Sequence, residues 1–279
     1  MQRVKRFWKN RLALVGLVIV TGWCVIAIFA PFLTPYDPME INLKHRLQPP
    51  SARHWLGTDF YGRDVLSRII HGAKYDVIIA VSAVMFAAGI GTPAGVIAGY
   101  YGGGVDEIIM RITDVIMAFP SLVLAMALAA VLGPGLEKAI FVMAFVGTAG
   151  YARLARGSTL SVKEEFYVEA ARAVGSSTPR ILFKHILPNI VSPIIVRATL
   201  GMGFTVLLAA TLSFIGLGIT PPTPEWGAMI NEGRLHLVTG KWWITTFPGL
   251  AIMSLVLGFN LIGDGLRDIL DPREFARKY

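Results

Sequence analysis

The sequence carries little charge for its length: only 16% of its 279 residues are Asp, Glu, Lys or Arg. Soluble domains carry about a quarter charged residues, so a soluble enzyme is not expected. Disorder is excluded as well, because 54% of the residues are hydrophobic and the mean hydropathy is +0.59. Cysteine is nearly absent, and the single Cys24 excludes a disulfide framework and a Cys-rich metal site. The apolar excess is therefore expected to face lipid.

Motifs for catalysis and ligand binding are missing too. A G-x-x-x-x-G-K-[ST] phosphate loop is absent, because Trp242 follows Gly240-Lys241 and Leu235 stands at the upstream glycine position. There is no G-x-S-x-G nucleophile motif, and the five histidines lack metal-ligand spacing. We therefore predict no catalytic residue, metal or cofactor in this chain. A nucleic-acid partner is not expected either, because Lys and Arg flank the apolar runs instead of forming one solvated face.

What the sequence does contain is a series of apolar runs. Most approach or exceed the roughly 20 residues that cross the hydrocarbon core, and none alternates like a barrel strand. They predict an all-α, polytopic membrane bundle of six transmembrane helices. Pro93 and Pro120 lie inside runs and predict kinks. The runs are residues 12–33, 77–100, 115–133, 139–155, 190–216 and 243–263.

Basic residues predict the orientation of these helices. The N-terminal tail is rich in Lys and Arg, and placing it in the cytoplasm also puts more basic residues in the other cytoplasmic segments than in the external ones. Both termini are therefore expected inside. The first run is too long for a typical signal-peptide core and lacks a clean cleavage site, so we expect an uncleaved helix. The tail residues are Arg3, Lys5, Arg6, Lys9 and Arg11.

Two polar segments are expected outside, at about residues 34–76 and 217–242. The first contains a short predicted helix at 65–71, and both contain proline-rich turns. Each could contact an external partner or simply form a capped loop at the membrane surface. We divide the chain into an N-terminal part, 1–76, and a five-helix core, 77–279, whose cytoplasmic loop lies at about 157–189.

The second run has a glycine at every fourth position, Gly91, Gly95 and Gly99. This spacing places all three on one helix face, where backbones can approach closely. It predicts a tight seam with a neighbouring helix or subunit. Chance in a glycine-rich membrane helix is the alternative.

Residues 160–189, here called the elbow segment, are too polar for lipid and too periodic for a passive loop. Phe166, Ala170 and Val174 recur at four-residue spacing, which predicts one face of a helix that Gly175 ends. A second short helix is expected to have Thr178 as its cap and Pro179 at its first position. Further on, Pro188 is expected to end the run before the next crossing.

The two short helices suggest a docking element. Ala170 and Ala171 keep the contact face small, and Glu169 and Arg172 flank it, which suits insertion into a groove of a soluble partner. A helix lying flat on lipid is the alternative, but the segment has few bulky apolar residues for that role.

The elbow segment also resembles the EAA loop of ABC importer permeases. The resemblance lies in Glu169-Ala170-Ala171, then Gly175, then Leu187-Pro188. His185 departs from the general pattern, which has an apolar residue there, and the His-Ile-Leu-Pro ending is similar to the peptide and nickel branch. Stretches along nearly the whole chain are similar to the same branch: Pro31 to Pro38, His54 to Asp59, Gly62-Arg63-Asp64, Leu212 to Gly218, Gly263 to Asp268 and Leu270-Asp271-Pro272.

The resemblance implies a type I permease fold in a dipeptide, oligopeptide or nickel importer, in its C-type subunit. It implies a homologous permease as heterodimer partner, two cytoplasmic ATPase subunits that bind ATP and Mg, and an external solute-binding protein. It implies the cytoplasmic (inner) membrane of a bacterium or archaeon. The docking residues implied are Glu169, Ala170, Ala171, Arg172, Gly175, Leu187 and Pro188.

Several alternatives stay open. Within the family, the cargo could be nickel or a metal chelate instead of a peptide. A stand-alone channel or secondary transporter is another class, although Arg197 and Asp264 are almost the only charges within or bordering the runs, and coupled transporters usually bury more carboxylates. Arg197 is expected to snorkel to the cytoplasmic surface. A membrane-embedded enzyme is disfavoured by the missing catalytic motifs.

Overall fold

The computed structural model describes residues 10–270. The basic tail residues from Arg3 to Lys9 and the Asp271-Pro272 motif lie outside these residues. Within 10–270 the structure is helical, and its sole β pairing is the isolated bridge between Thr58 and Asp64. The principal helices are α1 (Arg11–Leu33), α2 (Val65–Tyr101), α3 (Gly103–Met117), α4 (Ser121–Leu132), α5 (Leu136–Val162), α6 (Phe166–Ala173), α7 (Thr178–Ile181), α8 (Leu187–Ile215), α9 (Trp226–Gly233) and α10 (Trp243–Leu270).

The second crossing begins earlier than the apolar run predicted. The short helix expected at 65–71 and the run at 77–100 form one 37-residue helix, α2, so the proposed division after residue 76 falls inside a helix. Asp64 caps its first turn by accepting a hydrogen bond from the Ser67 backbone N–H at 2.8 Å. At the other end, Gly102 has a φ of +67° and closes the helix.

The third run does not form one straight helix. It is divided between α3 and α4, which meet at 88° across the break at residues 118–120. Pro120 precedes the first residue of α4, in agreement with the predicted kink, because proline cannot donate the backbone hydrogen bond that would continue α3. Pro93, by contrast, lies within α2, whose helix is uninterrupted there.

The prediction that Pro188 ends the elbow helix is wrong. The chain stays helical from Thr178 to Ile215, passing through a π-helical turn at Leu182–Ile186. In that wider turn the Leu187 N–H donates to the Leu182 carbonyl, five residues back. Pro188 then lies in the first turn of α8, where its missing N–H is tolerated.

The α2–α5 seam organises the bundle. A Cβ added at Gly91, Gly95 or Gly99 would lie 2.4, 2.1 and 2.9 Å from the carbonyl oxygens of Thr148, Ala152 and Arg156 respectively. The contact advances by four residues along both helices, so α2 and α5 run parallel. The predicted glycine face thus lies against a helix of the same chain. On the other side, α1 packs antiparallel to α10, where Trp23 Nε1 donates to Ser254 Oγ at 2.9 Å.

Candidate functional site

The elbow segment bends sharply at Gly175. Its φ is +78°, and the Gly175 and Ser176 N–H groups donate to the Arg172 and Ala171 carbonyls at 2.9 and 3.0 Å. This double hydrogen bond is the usual glycine-terminated helix end. A Cβ at residue 175 would meet no atom within 4 Å, so the left-handed backbone, and not lack of space, favours glycine here.

The two short helices begin without a side-chain cap. Glu165 is the residue before α6, and its side chain makes no capping hydrogen bond. The predicted cap Thr178 is the first residue of α7, because Ser177 has the extended backbone of an N-cap. Pro179 lies in that first turn, as expected.

The elbow segment has two different faces. The inner face is formed by Val168, Ala171 and Ile181, which are buried against Val96 of α2 and Ala155 of α5. The outer face points away from the chain: Phe166, Val174 and Phe183 are 86%, 80% and 72% exposed, and Ala170 is exposed with them. The four-residue spacing therefore identified a real helix face, and that face is uncovered.

The residues predicted for docking are divided between these faces. Glu169, Ala170, Arg172, Gly175 and Pro188 are exposed. Ala171 is only 7% exposed and packs inward, and Leu187 is half-buried against the same inner cluster. The Arg172 guanidinium carbon lies 5.2 Å from the centroid of the Tyr100 ring at the end of α2, which orients this cation beside the outer face.

Polar contacts tie the elbow segment to the bundle. Lys163 Nζ donates to the Gly99 carbonyl of α2 at 3.1 Å. Two turns before Lys163, Arg156 of α5 forms two hydrogen bonds, of 2.5 and 2.6 Å, to the carboxylate of Asp106 on α3. Sequence reasoning missed these contacts, because the partners lie about 50 residues or more apart. The Lys163 contact links the elbow segment to α2, and the Arg156 contact holds α5, which leads into that segment, against α3.

A cavity of about 1450 Å³ opens beside this end of the bundle. Its walls come from α2, α5 and α8, with residues from the α3–α4 break and the end of α10. Pro188 and Asn189, at the end of the elbow segment, line it. Within residues 10–270, its lining includes two charged side chains, Arg197 and Arg267, and no carboxylate.

The opposite end of α2 carries a cluster, here called the ion-pair cluster, that consists of the buried Asp59, Arg63 and Arg68 and the partly buried Glu232. Arg63 donates to Asp59 at 2.6 Å and to Glu232 at 2.8 Å, and Arg68 donates to Glu232 at 3.0 Å. Beside it Trp226 is fully buried, and its Nε1 donates to the Ile69 carbonyl at 3.0 Å. The sequence showed the Gly62-Arg63-Asp64 motif but gave no sign of Glu232.

Metal-ligating side chains do not gather in the part of the chain that the structure describes, where no three His, Cys, Asp or Glu residues form a candidate site. His54 instead pairs with the N-cap carboxylate of Asp64 at 2.9 Å.

Comparison with known proteins gives matches over nearly the whole chain. The family described as binding-protein-dependent transport system inner membrane component matches residues 91–275. The family described as the N-terminal TM domain of oligopeptide transport permease C matches residues 1–50.

Among curated relatives, the dipeptide transport system permease protein DppC of Alkalihalophilus pseudofirmus is 49% identical, over 96% of this chain and 88% of the relative. The probable D,D-dipeptide transport system permease protein DdpC of Escherichia coli K12 is 47% identical, over 94% and 88%. The glutathione transport system permease protein GsiD of Escherichia coli O157:H7 is 46% identical, over 96% and 89%.

A solved structure has a similar fold. A chain of the MetNI methionine ABC transporter, in inward-facing conformations, superposes with a TM-score of 0.57 at 19% identity, covering 72% of this chain and 96% of that chain. This likeness concerns the fold alone.

Proposed function

The chain belongs to the binding-protein-dependent transport system inner membrane component family, and from this premise we propose that it is the permease of a peptide importer. The predicted all-α, polytopic bundle with a type I permease fold is confirmed. Five of its helices are long and apolar enough to span a membrane, and the α3–α4 pair makes up to six. The family is one of transport permeases, so the chain itself is a transport subunit and not a catalytic one.

Peptide cargo is supported by the relatives. Two carry dipeptide names and a third a glutathione name, and glutathione is itself a small peptide. Identities of 46–49% over nearly the full chain favour the same class of cargo here. A nickel or metal-chelate cargo has no specific observation in its favour.

The observation that carries the coupling role is the uncovered outer face of the elbow segment. An apolar strip on a short, fixed helix suits a groove on a soluble subunit, because burying it would remove Phe166 and Val174 from water. We assign that groove to a cytoplasmic ATPase subunit that binds ATP and Mg. Glu169, Ala170 and Arg172 border the strip, whereas Ala171 and Leu187 support it from within.

The orientation of the chain in the membrane is inferred from the end of the bundle that carries the elbow segment. Arg153, Arg156 and Lys163 all lie near the elbow segment, and basic residues favour the cytoplasmic side. Both termini are then cytoplasmic. A second, homologous permease completes the pathway as a heterodimer, and an external solute-binding protein delivers cargo to the opposite end.

Transport then requires that the docked arrangement favour one state of the pathway over another. Two sets of contacts connect the outer face of the elbow segment to helices that line the cavity. One is the packing of the inner face against α2 and α5, and the other is the hydrogen bond from Lys163 to Gly99. Closure of the ATPase pair would move the elbow segment and, through it, these helices.

The bend provides the test. Gly175→Val should abolish peptide import by the assembled transporter, because a β-branched residue strains the left-handed backbone. Gly175→Asn is the matched control, since asparagine tolerates this conformation, and should import at near the original rate. Import is measured as uptake of labelled dipeptide into vesicles. Assembly of the Val variant with normal uptake would contradict the docking role. Dipeptide flux through the chain reconstituted alone would favour a stand-alone transporter instead.

A further inference from the structure

Arg197 is a charged residue inside the fifth apolar run. It lies ten residues beyond Leu187, the first residue of α8, which is roughly 15 Å along the helix. Its guanidinium crosses to α5 at Gly150, close to the midpoint of that helix. A cation at this depth is costly in lipid, and such residues usually face a cavity and mark a substrate path. Arg197 lines the large cavity.

The neighbouring helix is shaped to receive this side chain. A Cβ on Gly150 would collide with Arg197 Nη2, so a larger residue there would push the guanidinium out of this position. The guanidinium carbon also lies 5.2 Å from the centroid of the Tyr151 ring, a cation–π contact that orients it. Neither contact pairs the guanidinium N–H groups with a negative charge. Among residues 10–270, no carboxylate lies within 4.0 Å of Arg197.

Tyr151 contributes a second unused donor. Its side chain is 3% exposed, and its hydroxyl is buried without a hydrogen-bond partner in the described part of the chain. Gly201 of α8 makes room for that hydroxyl, because a Cβ there would approach it to 2.9 Å. A buried polar group left unpaired is unfavourable, so an arrangement that keeps one suggests a partner that is present only part of the time.

We infer that Arg197 and Tyr151 form a binding site for the carboxylate of the cargo as it passes through the cavity. Arginine presents planar N–H donors that match a carboxylate, and the tyrosine hydroxyl adds another donor. Among the residues that the structure describes, the cavity is lined by positive and no negative side chains, so this lining favours an anionic group. A peptide always offers one such group at its C-terminus. This inference rests on the proposed function, since it names the chemical group that the peptide pathway contacts.

The test compares two probes, alanyl-alanine and its C-terminal amide, which lacks the negative charge. The complete importer is reconstituted in vesicles, and each peptide is supplied at a concentration that saturates the binding protein, which removes that protein's own preference. The original importer should take up the acid faster than the amide. Arg197→Gln should lower acid uptake roughly ten- to a hundredfold, the effect of losing a charge-assisted hydrogen bond, and leave amide uptake within about twofold.

Further variants distinguish a lost contact with the peptide carboxylate from a general loss of folding or assembly. Tyr151→Phe should reduce acid uptake several-fold without affecting the amide, because it removes only the hydroxyl. Arg197→Lys, which keeps the charge but not the planar fork, should fall between the original and Arg197→Gln. Arg111→Gln is the control, since Arg111 is an exposed cation of α3 that lies outside the cavity lining, and the acid-to-amide ratio should not change.

Three outcomes would overturn the inference. Equal loss of acid and amide uptake in Arg197→Gln would mean that Arg197 supports the fold or pairs with the second permease. Unchanged acid uptake would mean that the cargo does not contact it. If the original importer takes up neither peptide while its ATPase activity is intact, the proposed peptide cargo is itself wrong and the inference fails with it.

Discussion

At the Val65 end of α2, two buried arginines pair with a buried and a partly buried carboxylate, whereas at its Tyr101 end the elbow segment leaves Phe166 and Val174 exposed. The two ends are about 50 Å apart along one helix. The first end pairs its charges internally and so holds the fold without help from another chain. The second presents apolar area that a partner would cover. A substitution at the first end should therefore change stability, and one on the outer face of the second should change coupling.

The largest effect on stability is expected from breaking the ion-pair cluster. Arg63→Ala would leave the buried carboxylate of Asp59, and the partly buried one of Glu232, with less charge compensation, and removing one member of a buried pair costs about 3 to 5 kcal/mol. Thermal unfolding of the purified protein in detergent measures the change.

The control for this cluster variant is Arg111→Ala. Arg111 pairs with Glu107 on the surface of α3, where both side chains are at least 70% exposed, so the change should stay within about 0.5 kcal/mol. Equal effects of the two variants would show that the cluster does not stabilise the Val65 end.

A smaller, pH-dependent effect is expected beside the same cluster. Glu225 is fully buried at the start of α9 and accepts hydrogen bonds from the Gly227 and Ala228 N–H groups at 2.9 and 2.8 Å. Burial raises the pKa of Glu225 from 4.5 to about 7. The folded protein therefore holds this proton more tightly than the unfolded chain, so the stabilisation is complete below pH 4.5 and is lost as pH rises through 7.

Glu225→Gln should flatten this dependence. The free energy of unfolding, obtained from thermal unfolding between pH 5 and 8, should fall with rising pH by on the order of 2 kcal/mol in the unsubstituted protein and by less in the variant. The control is the same type of substitution at an exposed residue of the elbow segment, Glu169→Gln, which should leave the pH dependence of stability unchanged. A falling curve that persists in Glu225→Gln would assign the proton to another group.

The difference between the two ends of α2 also explains which features could be predicted from the sequence and which could not. The outer face of α6 and the bend at Gly175 depend on neighbours within four residues, so periodicity and a single glycine predicted both. The start of α2 was placed twelve residues late because Arg68 and Asp76 interrupt the apolar run. Arg68 is paired with Glu232, 164 residues away, and no local pattern reveals such a partner. The helix through Pro188 was missed for a different reason, since a π-helical turn has no sequence signature as clear as proline itself.

The smallest effect on stability, and the sharpest test of the contrast, is expected on α6. Phe166→Ser removes a side chain that is 86% exposed, so stability should change by less than about 0.5 kcal/mol. Val168→Ala, two residues along on the inner face, removes atoms of a fully buried side chain and should cost about 2 kcal/mol.

ATP-driven uptake should rank the two α6 variants in the opposite order, with Phe166→Ser more impaired than Val168→Ala. Phe166→Ser should reduce ATP-driven peptide uptake tenfold or more, because the phenyl ring is the largest exposed apolar group of the docking strip, whereas Val168→Ala should keep most uptake at temperatures where it is folded. Co-purification of the ATPase subunit with each variant reports docking directly. Full uptake by Phe166→Ser would remove the outer face from the docking role. In that case the elbow segment would act only through its inner face, which packs against α2 and α5, and the exposed apolar residues of its outer face would have no role in docking.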